Sequence, residues 1–264
     1  HDDLIVGAPF NSQTGDRAGR AYVVSGADGS TILELAGERA GDNFGSAVAG
    51  RVLDDGRAIL VAGAPNAGDN YGGRVYVWVG EPHAGPATFT IETDETGAEL
   101  GAMFLSIVGD VDADGHPDVY ASDWSNNARG GSTGRVYVHS GATGARLYTF
   151  TGEARGDGFG IGPADAGDVD GDGHDDLVIG AWQHWGAAAG GGKVYVFSGA
   201  DGSVLREITG KVMGDAFGFD ATGMGDVDGD GAIDYLITSA SSAVNGTRSG
   251  RVYIISGAVR DRRS

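Results

Sequence analysis

The sequence predicts an all-β protein made of repeated units of four short antiparallel strands. Three observations indicate this. A glycine-led strand phrase occurs five times, a carboxylate-rich phrase occurs three times at intervals of 58 residues, and no window shows convincing helical periodicity. The 50 glycines suit short strands joined by turns. Units that recur at this spacing form an array, and four strands per unit favour a propeller-like arrangement.

The most frequent element is a strand with tyrosine at a fixed register. Its commonest form is Gly-Arg-Val-Tyr-Val, and the five copies begin at Gly19, Gly73, Gly134, Gly192 and Gly250. After four of them comes a turn, for example residues 25–30, whose Gly and Asp residues suit a tight hairpin. A further strand is therefore predicted over 31–35, 88–91, 147–150 and 204–208.

Two more strands flank the carboxylate-rich phrase. The strand before it is expected to open with a Phe-Gly pair, at Phe44, Phe159 and Phe217. The strand after it is a short apolar, β-branched run, such as residues 176–179. The carboxylate-rich phrase therefore joins two strands of a unit.

That phrase, Asp-x-Asp-x-Asp-Gly-x-x-Asp, has the composition of a calcium loop. Carboxylates at positions one, three, five and nine supply hard oxygen ligands, glycine at six permits a sharp turn, and position seven would offer its backbone carbonyl. Three calcium ions are predicted. The predicted ligands are Asp110, Asp112, Asp114, His116 and Asp118; Asp168, Asp170, Asp172, His174 and Asp176; and Asp226, Asp228, Asp230, Ala232 and Asp234.

Alternative interpretations of this phrase are weaker. An EF-hand needs a bidentate Glu at position twelve and flanking helices, but position twelve is Ala121, Ile179 or Ile237. Asp-Gly clusters also occur in ordinary turns, although three aligned sets of four Asp argue against that origin. A fourth copy at 51–59 keeps Asp only at position five, so we expect it to be metal-free, with Arg51 pairing with Asp55.

These phrases resemble the FG-GAP repeats of integrin α subunits and their bacterial relatives, and the resemblance covers essentially the whole chain. It implies a β-propeller of radial four-stranded antiparallel blades around a channel, calcium loops between strands 1 and 2, and ligand binding at the opposite face. The repeats divide the chain into a partial blade over 1–37, blades at about 38–94, 95–152 and 153–210, and a partial blade over 211–264.

The first and last units contain three strands each, so we expect eighteen strands in all. Integrin members of the family close with seven blades, which would need more chain. Either the sequence is a piece of a longer protein, or five blades close with two incomplete ones. Incomplete blades expose strand edges, so self-association or an adjoining segment is expected.

Composition restricts the partners. The formal net charge of −19 argues against a nucleic-acid partner, because phosphate binding needs basic patches. The sequence contains no cysteine and no evident membrane span, so neither disulfides nor direct membrane insertion is expected. Calcium loops favour an extracellular setting, secreted or at the cell surface.

Function is predicted at the loops between second and third strands. Trp124, Trp182 and Trp185 place large aromatic rings beside amides, which suits a protein or glycan ligand, although such rings could instead pack between blades. Residues 155–157 spell Arg-Gly-Asp, but Gly-Asp recurs in other repeats and the match is attributed to chance. We expect a non-enzymatic adhesion or binding module; the alternative is a propeller portion of a polysaccharide-degrading or lipid-cleaving enzyme.

Overall fold

The computed structural model describes residues 1–93, 95, 98–162 and 165–258. The regular elements of these residues are nineteen strands: β1 Leu4–Ala8, β2 Arg20–Val24, β3 Thr31–Ala36, β4 Val48–Val52, β5 Ala58–Ala64, β6 Arg74–Gly80, β7 Phe89–Glu92, β8 Leu105–Ile107, β9 Val119–Asp123, β10 Arg135–His139, β11 Arg146–Thr151, β12 Phe159–Ile161, β13 Asp165–Gly167, β14 Asp176–Ala181, β15 Lys193–Phe197, β16 Val204–Thr209, β17 Phe217–Gly223, β18 Tyr235–Ser239 and β19 Arg251–Ile255. The all-β prediction is confirmed.

The strands form five antiparallel sheets, numbered here in chain order. Sheet 1 has the order β1-β2-β3, sheet 2 β4-β5-β6-β7, and sheet 3 β8-β9-β10-β11. In sheet 4, β14, β15 and β16 lie side by side and both β12 and β13 pair with β14; sheet 5 is β17-β18-β19. Neighbours in space are neighbours in sequence, as short hairpin connections require.

The chain separates into two compact units. Unit 1 comprises His1–Ile107, Val119–Asn126 and Val136–Thr149, and unit 2 comprises Val108–Asp118, Asn127–Arg135 and Phe150–Ser264. Unit 1 therefore holds sheets 1 and 2 and most of sheet 3, and unit 2 holds sheets 4 and 5.

The core of unit 1 lies between its sheets. Strand β5 is buried on both faces: Leu60 and Ala62 join one cluster with Leu35 of sheet 1, and Ile59 and Val61 join another with residues of sheet 3. A strand buried on both faces reads as a continuous apolar run, which is why residues 58–64 contain no charged side chain.

The core of unit 2 lies between sheets 4 and 5. Val194 and Val196 of β15 pack in one cluster with Tyr235 and Ile237 of β18. The phrase that contains Val194 places tyrosine on the opposite face, because side chains alternate along a strand. Tyr195 there stacks on Phe197, with ring centroids 5.7 Å apart.

The predicted opening of a strand by a Phe-Gly pair is confirmed at Phe159 and Phe217, where β12 and β17 begin, but it is wrong at Phe44. In sheet 2 the strand begins at Val48, and Phe44 instead forms a parallel bridge to Gly19 of the preceding sheet. A Cβ on Gly19, whose φ is +86°, would lie 2.1 Å from the Phe44 carbonyl oxygen. The glycine that opens the strand phrase is therefore required by this close approach. The Phe44 ring packs edge-on against Tyr76 at 5.5 Å, which fixes one sheet to the next.

The described residues contain nineteen strands, one more than the eighteen predicted. In sheet 4 the segment before the carboxylate-rich phrase is divided into β12 and β13, and β12 has an irregular register against β14. Gly160 and Gly162 have φ values of +100° and +87° there, and this backbone conformation interrupts regular strand pairing.

Candidate metal centre

Three loops of unit 2 contain the carboxylate-rich phrase: loop A is Asp110–Asp118, loop B is Asp168–Asp176 and loop C is Asp226–Asp234. In each, the first carboxylate accepts hydrogen bonds from the backbone N–H groups at positions five and six of the same loop. Asp110 accepts from Asp114 N at 2.9 Å and from Gly115 N at 2.8 Å. Loops B and C repeat the pair at Asp168 and Asp226. The bonds bend each loop back on its first residue, as Asx turns do.

Glycine at position six is required by backbone conformation. Gly115, Gly173 and Gly231 have φ values of +89°, +94° and +90°, in the left-handed region. A Cβ at any of the three would meet nothing within 4 Å, so space is not the constraint. An L-residue would be strained there.

The ninth carboxylate is the buried anchor of each loop. Asp118, Asp176 and Asp234 are almost fully buried, and each accepts a hydrogen bond from the N–H at position two, at 2.8, 2.7 and 2.9 Å. In loops B and C the other oxygen of this carboxylate accepts a hydrogen bond from the N–H of a turn glycine. The glycine is Gly199, after β15, at 2.8 Å in loop B, and Gly257, after β19, at 2.9 Å in loop C. The ninth residue therefore joins the loop to a neighbouring hairpin.

Carboxylate oxygens converge in all three loops. The groups whose oxygens lie within 4.8 Å of one another are Asp110, Asp112 and Asp118 in loop A; Asp168, Asp170 and Asp176 in loop B; and Asp226, Asp228 and Asp230 in loop C. Asp114, Asp172 and Asp234 lie outside these groups. Clustered carboxylates fit a hard, oxygen-preferring cation such as calcium.

Desolvation, with a further contribution from like charges, raises the pKa of two loop carboxyls. Burial, together with nearby Asp170 and Asp172, raises the pKa of the Asp176 carboxyl. Desolvation and repulsion from Asp230 and Asp234 raise the pKa of Asp228. A bound cation would relieve this repulsion.

The backbone at position seven closes each loop. The N–H of His116, His174 and Ala232 donates to the fifth-position Asp at 2.9, 2.9 and 3.1 Å. Metal coordination through their carbonyl oxygens remains a prediction, as does the complete ligand set of each loop.

The fourth copy of the loop, at 51–59, has a different conformation. Leu53 N donates to Arg57 O at 2.7 Å, which closes a tight turn between β4 and β5. The Asp55 carboxylate pairs with Arg57 Nε at 2.6 Å, and the predicted pair with Arg51 remains a prediction. A cationic side chain thus lies beside the one Asp that the loop shares with the others.

The three tryptophans predicted to bind a ligand differ in environment. Trp182 packs edge-on against Phe219 at 5.5 Å, and a Cβ on Gly158 would lie 2.4 Å from its Nε1. The Nε1 atoms of Trp124 and Trp182 are buried and have no hydrogen-bond partner among the described residues. Trp185 is 75% exposed, so its ring is accessible. In the repeat Trp182 stands where Pro9 and Pro65 stand, and this alignment is the sequence signal that favours a packed ring at Trp182.

The aspartate of the Arg-Gly-Asp tripeptide is not presented to solvent, although Arg155 is exposed. Asp157 is buried; it accepts from Ala154 N at 2.8 Å, and its other oxygen contacts His184 Nδ1 at 3.1 Å. The aspartate is thus a structural residue of the repeat.

Among the described residues, no helix has the length and apolar character needed to cross a bilayer.

Comparison with solved structures defines the class of the fold. A structure described as "Structure of Dos1 propeller" superposes with a TM-score of 0.55 over 90% of this chain and 50% of that chain, at 14% identity. Similarity at this identity concerns the fold alone. The chain is a β-propeller protein.

Sequence comparison identifies the repeat. Residues 110–179 match the family model described as "FG-GAP-like repeat". Integrin alpha-4 of Xenopus laevis is 31% identical over 194 residues, which are 68% of this chain and 18% of that protein. Integrin alpha-3 of Cricetulus griseus is 29% identical over 164 residues, 56% of this chain and 15% of that protein. The chain belongs to the FG-GAP repeat β-propellers and spans less than a fifth of these curated relatives.

Proposed function

We propose that the chain is a calcium-stabilised, non-enzymatic binding module that works outside the cell. The observation that carries this proposal is the convergence of carboxylate oxygens within 4.8 Å in three loops of an integrin-like propeller sequence. Loops A, B and C each hold one calcium ion through their aspartates, with the carbonyl of His116, His174 or Ala232 as a further ligand. Bound calcium supplies positive charge that stabilises the crowded carboxylates.

Calcium affinity tests the extracellular setting. Extracellular calcium modules bind with dissociation constants of about 0.1 to 1 mM, whereas intracellular sensors bind at about 0.1 to 10 µM. We expect the former range in an isothermal calcium titration of the chelator-stripped chain. Saturation at submicromolar calcium would contradict the extracellular proposal.

The ligand meets the loops between second and third strands, and Trp185 is its principal contact. An exposed tryptophan offers apolar area and an N–H donor, a combination that suits a protein surface or a sugar ring. Trp124 and Trp182, with partly buried rings, form the less accessible part of the same proposed ligand set. No catalytic group is assigned, because the relatives found are integrin α subunits and support binding rather than turnover.

A glycan microarray and a panel of immobilised extracellular-matrix proteins test this assignment. We expect calcium-dependent binding without cleavage, at least tenfold weaker in Trp185→Ala. Val204→Ala is the control, since Val204 is an exposed apolar residue of β16 that lies outside these loops. Equal binding by Trp185→Ala and the parent chain would remove Trp185 from the site, and release of cleaved product would favour the enzymatic alternative.

Each sheet acts as one propeller blade, with the residue boundaries predicted from the repeats. Two sheet faces, one on sheet 5 and one on sheet 1, are available for association. Val252 and Ile254 of sheet 5 are 61% and 62% exposed. The residues 58 positions earlier, Val194 and Val196, are buried in the core of unit 2. In unit 1, Leu4 and Val6 of sheet 1 are 60% and 46% exposed, and they correspond in the repeat to Tyr235 and Ile237.

Val252 and Ile254 therefore correspond to the sheet 4 side of the contact between sheets 4 and 5. Leu4 and Val6 correspond to its sheet 5 side. We infer that sheet 5 of one copy binds sheet 1 of a second copy, a head-to-tail contact. Sedimentation velocity across a concentration series should show dimers and larger species. Val252→Lys with Ile254→Lys should shift the distribution to monomer, whereas Val204→Lys, at an exposed position of β16, should not. A parent chain that stays monomeric throughout would contradict the contact.

A further inference from the structure

Loops A and B of unit 2 are joined by hydrogen bonds between their residues. Asp175 N donates to Asp110 O at 3.0 Å, and Asp110 N donates to Asp175 Oδ2 at 2.8 Å. This reciprocal pair connects the first predicted ligand of loop A to the residue beside the ninth ligand of loop B.

A second contact joins His174, the residue before Asp175, to Val111, the residue after Asp110. His174 Nδ1 is 2.8 Å from Val111 O, and because a carbonyl only accepts, that nitrogen is the donor. Val111 N in turn donates to Asp118 Oδ2 at 2.8 Å. The contact therefore continues to the ninth residue of loop A through the backbone of one residue, Val111.

The contact depends on glycine in loop A. A Cβ on Gly109 would lie 2.0 Å from Asp175 Oδ2. Any other residue there would displace the carboxylate from Asp110 N. Gly109 thus leaves the space that the Asp175 side chain occupies.

Loop C offers a natural comparison. Its residues at the positions of His174 and Asp175 are Ala232 and Ile233. The Ile233 side chain approaches Gly167, the counterpart of Gly109, to 3.2 Å from where a Cβ would stand. Neither alanine nor isoleucine has a polar side-chain atom, so loop C cannot make either side-chain hydrogen bond toward loop B.

We propose that Asp175 and His174 couple calcium binding at loops A and B, while loop C binds independently. Calcium orders residues 110 and 111 in loop A, which fixes Asp175 and His174 and thereby the neighbouring Asp176. Ordering one loop thus favours the ordered form of the other, which is a coupling between two sites. The inference rests on the calcium sites proposed above.

The test is a calcium titration of a chain in which loop C is disabled by Asp226→Asn and Asp228→Asn. Isothermal titration calorimetry and native mass spectrometry should show positive cooperativity, with the first ion raising affinity for the second by about tenfold, within the usual range of coupling. The singly loaded species should be depleted relative to independent sites.

Three variants in that background locate the coupling. Asp175→Ala with His174→Ala should restore independent binding and a statistical share of singly loaded chains. Asp175→Asn, which keeps an acceptor oxygen, should retain part of the cooperativity. Ile233→Ala, the matched change in loop C, should leave cooperativity unchanged. Circular dichroism shows whether each variant retains its sheets.

The outcomes separate this inference from the proposed function. Two ions bound independently by the chain with intact Asp175 and His174 would overturn the coupling and leave the calcium sites in place. Failure of loops A and B to bind calcium would overturn both.

Discussion

Loops A to C and the turn at 51–59 connect the same pair of strands in their repeats, yet they do so by different means. In sheet 2 the pairing of β4 with β5 continues without interruption to Val52 and Ala58, and a short turn closes it. In sheet 4 pairing stops at Gly167 and Asp176, and loop B lies between. The hairpin therefore forms without carboxylates at positions one, three and nine, and we attribute the carboxylates at these positions to cation binding.

The ninth residue also differs between the loops and the turn, although it is buried in both. It is a buried aspartate in loops A, B and C and the buried Ile59 in the turn. The aspartates anchor their loops through backbone N–H groups, whereas Ile59 anchors β5 through apolar contacts with sheet 3. Calcium dependence should therefore be confined to unit 2.

Chelation should give the largest effect. A ligand present at 100 times its dissociation constant stabilises by about 2.7 kcal/mol per site. Removing calcium should thus lower the melting temperature by about 10 °C or more. In hydrogen exchange, the N–H groups of Asp114 and Gly115 should lose protection while Leu53 N–H should not. Equal loss at Leu53 would break the comparison between the loops and the turn.

Replacing the ninth residue should come next. Asp176→Ala leaves the N–H groups of Val169 and Gly199 without their acceptor, which lowers the free energy of unfolding by about 1 to 3 kcal/mol for each group. Part of this loss is offset, because the variant buries one charge fewer. Ile59→Ala creates a cavity and should cost about 2 to 5 kcal/mol. Urea unfolding with and without calcium should show a larger loss for Asp176→Ala when calcium is present. The loss for Ile59→Ala should be the same in both conditions; calcium dependence there would contradict the account.

Glycine substitutions separate backbone strain from metal binding. Gly115 and Gly56 have φ values of +89° and +85°, and a Cβ at either would meet nothing within 4 Å. Alanine should cost about 1 to 2 kcal/mol at both positions. Only Gly115→Ala should also weaken calcium binding, as measured by titration calorimetry. A matching change in calcium affinity with Gly56→Ala would show that the turn takes part in binding.

The smallest effect is expected for Arg57→Ala. Its ion pair with Asp55 is solvent-exposed, and such pairs contribute about 0 to 1 kcal/mol. Urea unfolding at low and high salt should show a small loss that salt diminishes. A loss above about 2 kcal/mol would mean that the pair determines the conformation of the turn.

Most strands lie within one or two residues of the positions that the sequence predicts, because the tyrosine phrase combines strand propensity with fixed turn residues. The strand predicted over 88–91 is observed as Phe89–Glu92, for example. The predicted start of β4 is wrong, since Phe44 takes part in a contact between sheets and not in pairing within one. Local patterns carry no information about such contacts between repeats.

The same limit applies to the candidate site. The repeated Asp positions are enough to predict the three carboxylate groups, because ligands of one loop are close in sequence. The bonds from Asp175 and His174 to loop A could not be predicted, since they join residues more than 60 positions apart and depend on the backbone at Gly109. The exposure of Trp185 likewise depends on how its loop folds.

Native mass spectrometry of the chain in calcium tests the central claim most directly. Three calcium ions should bind to the parent chain, and two to a chain that carries Asp226→Asn and Asp228→Asn in loop C. A parent chain that binds no calcium, or a loop C variant that still binds three ions, would contradict the assignment of the carboxylate loops as calcium sites.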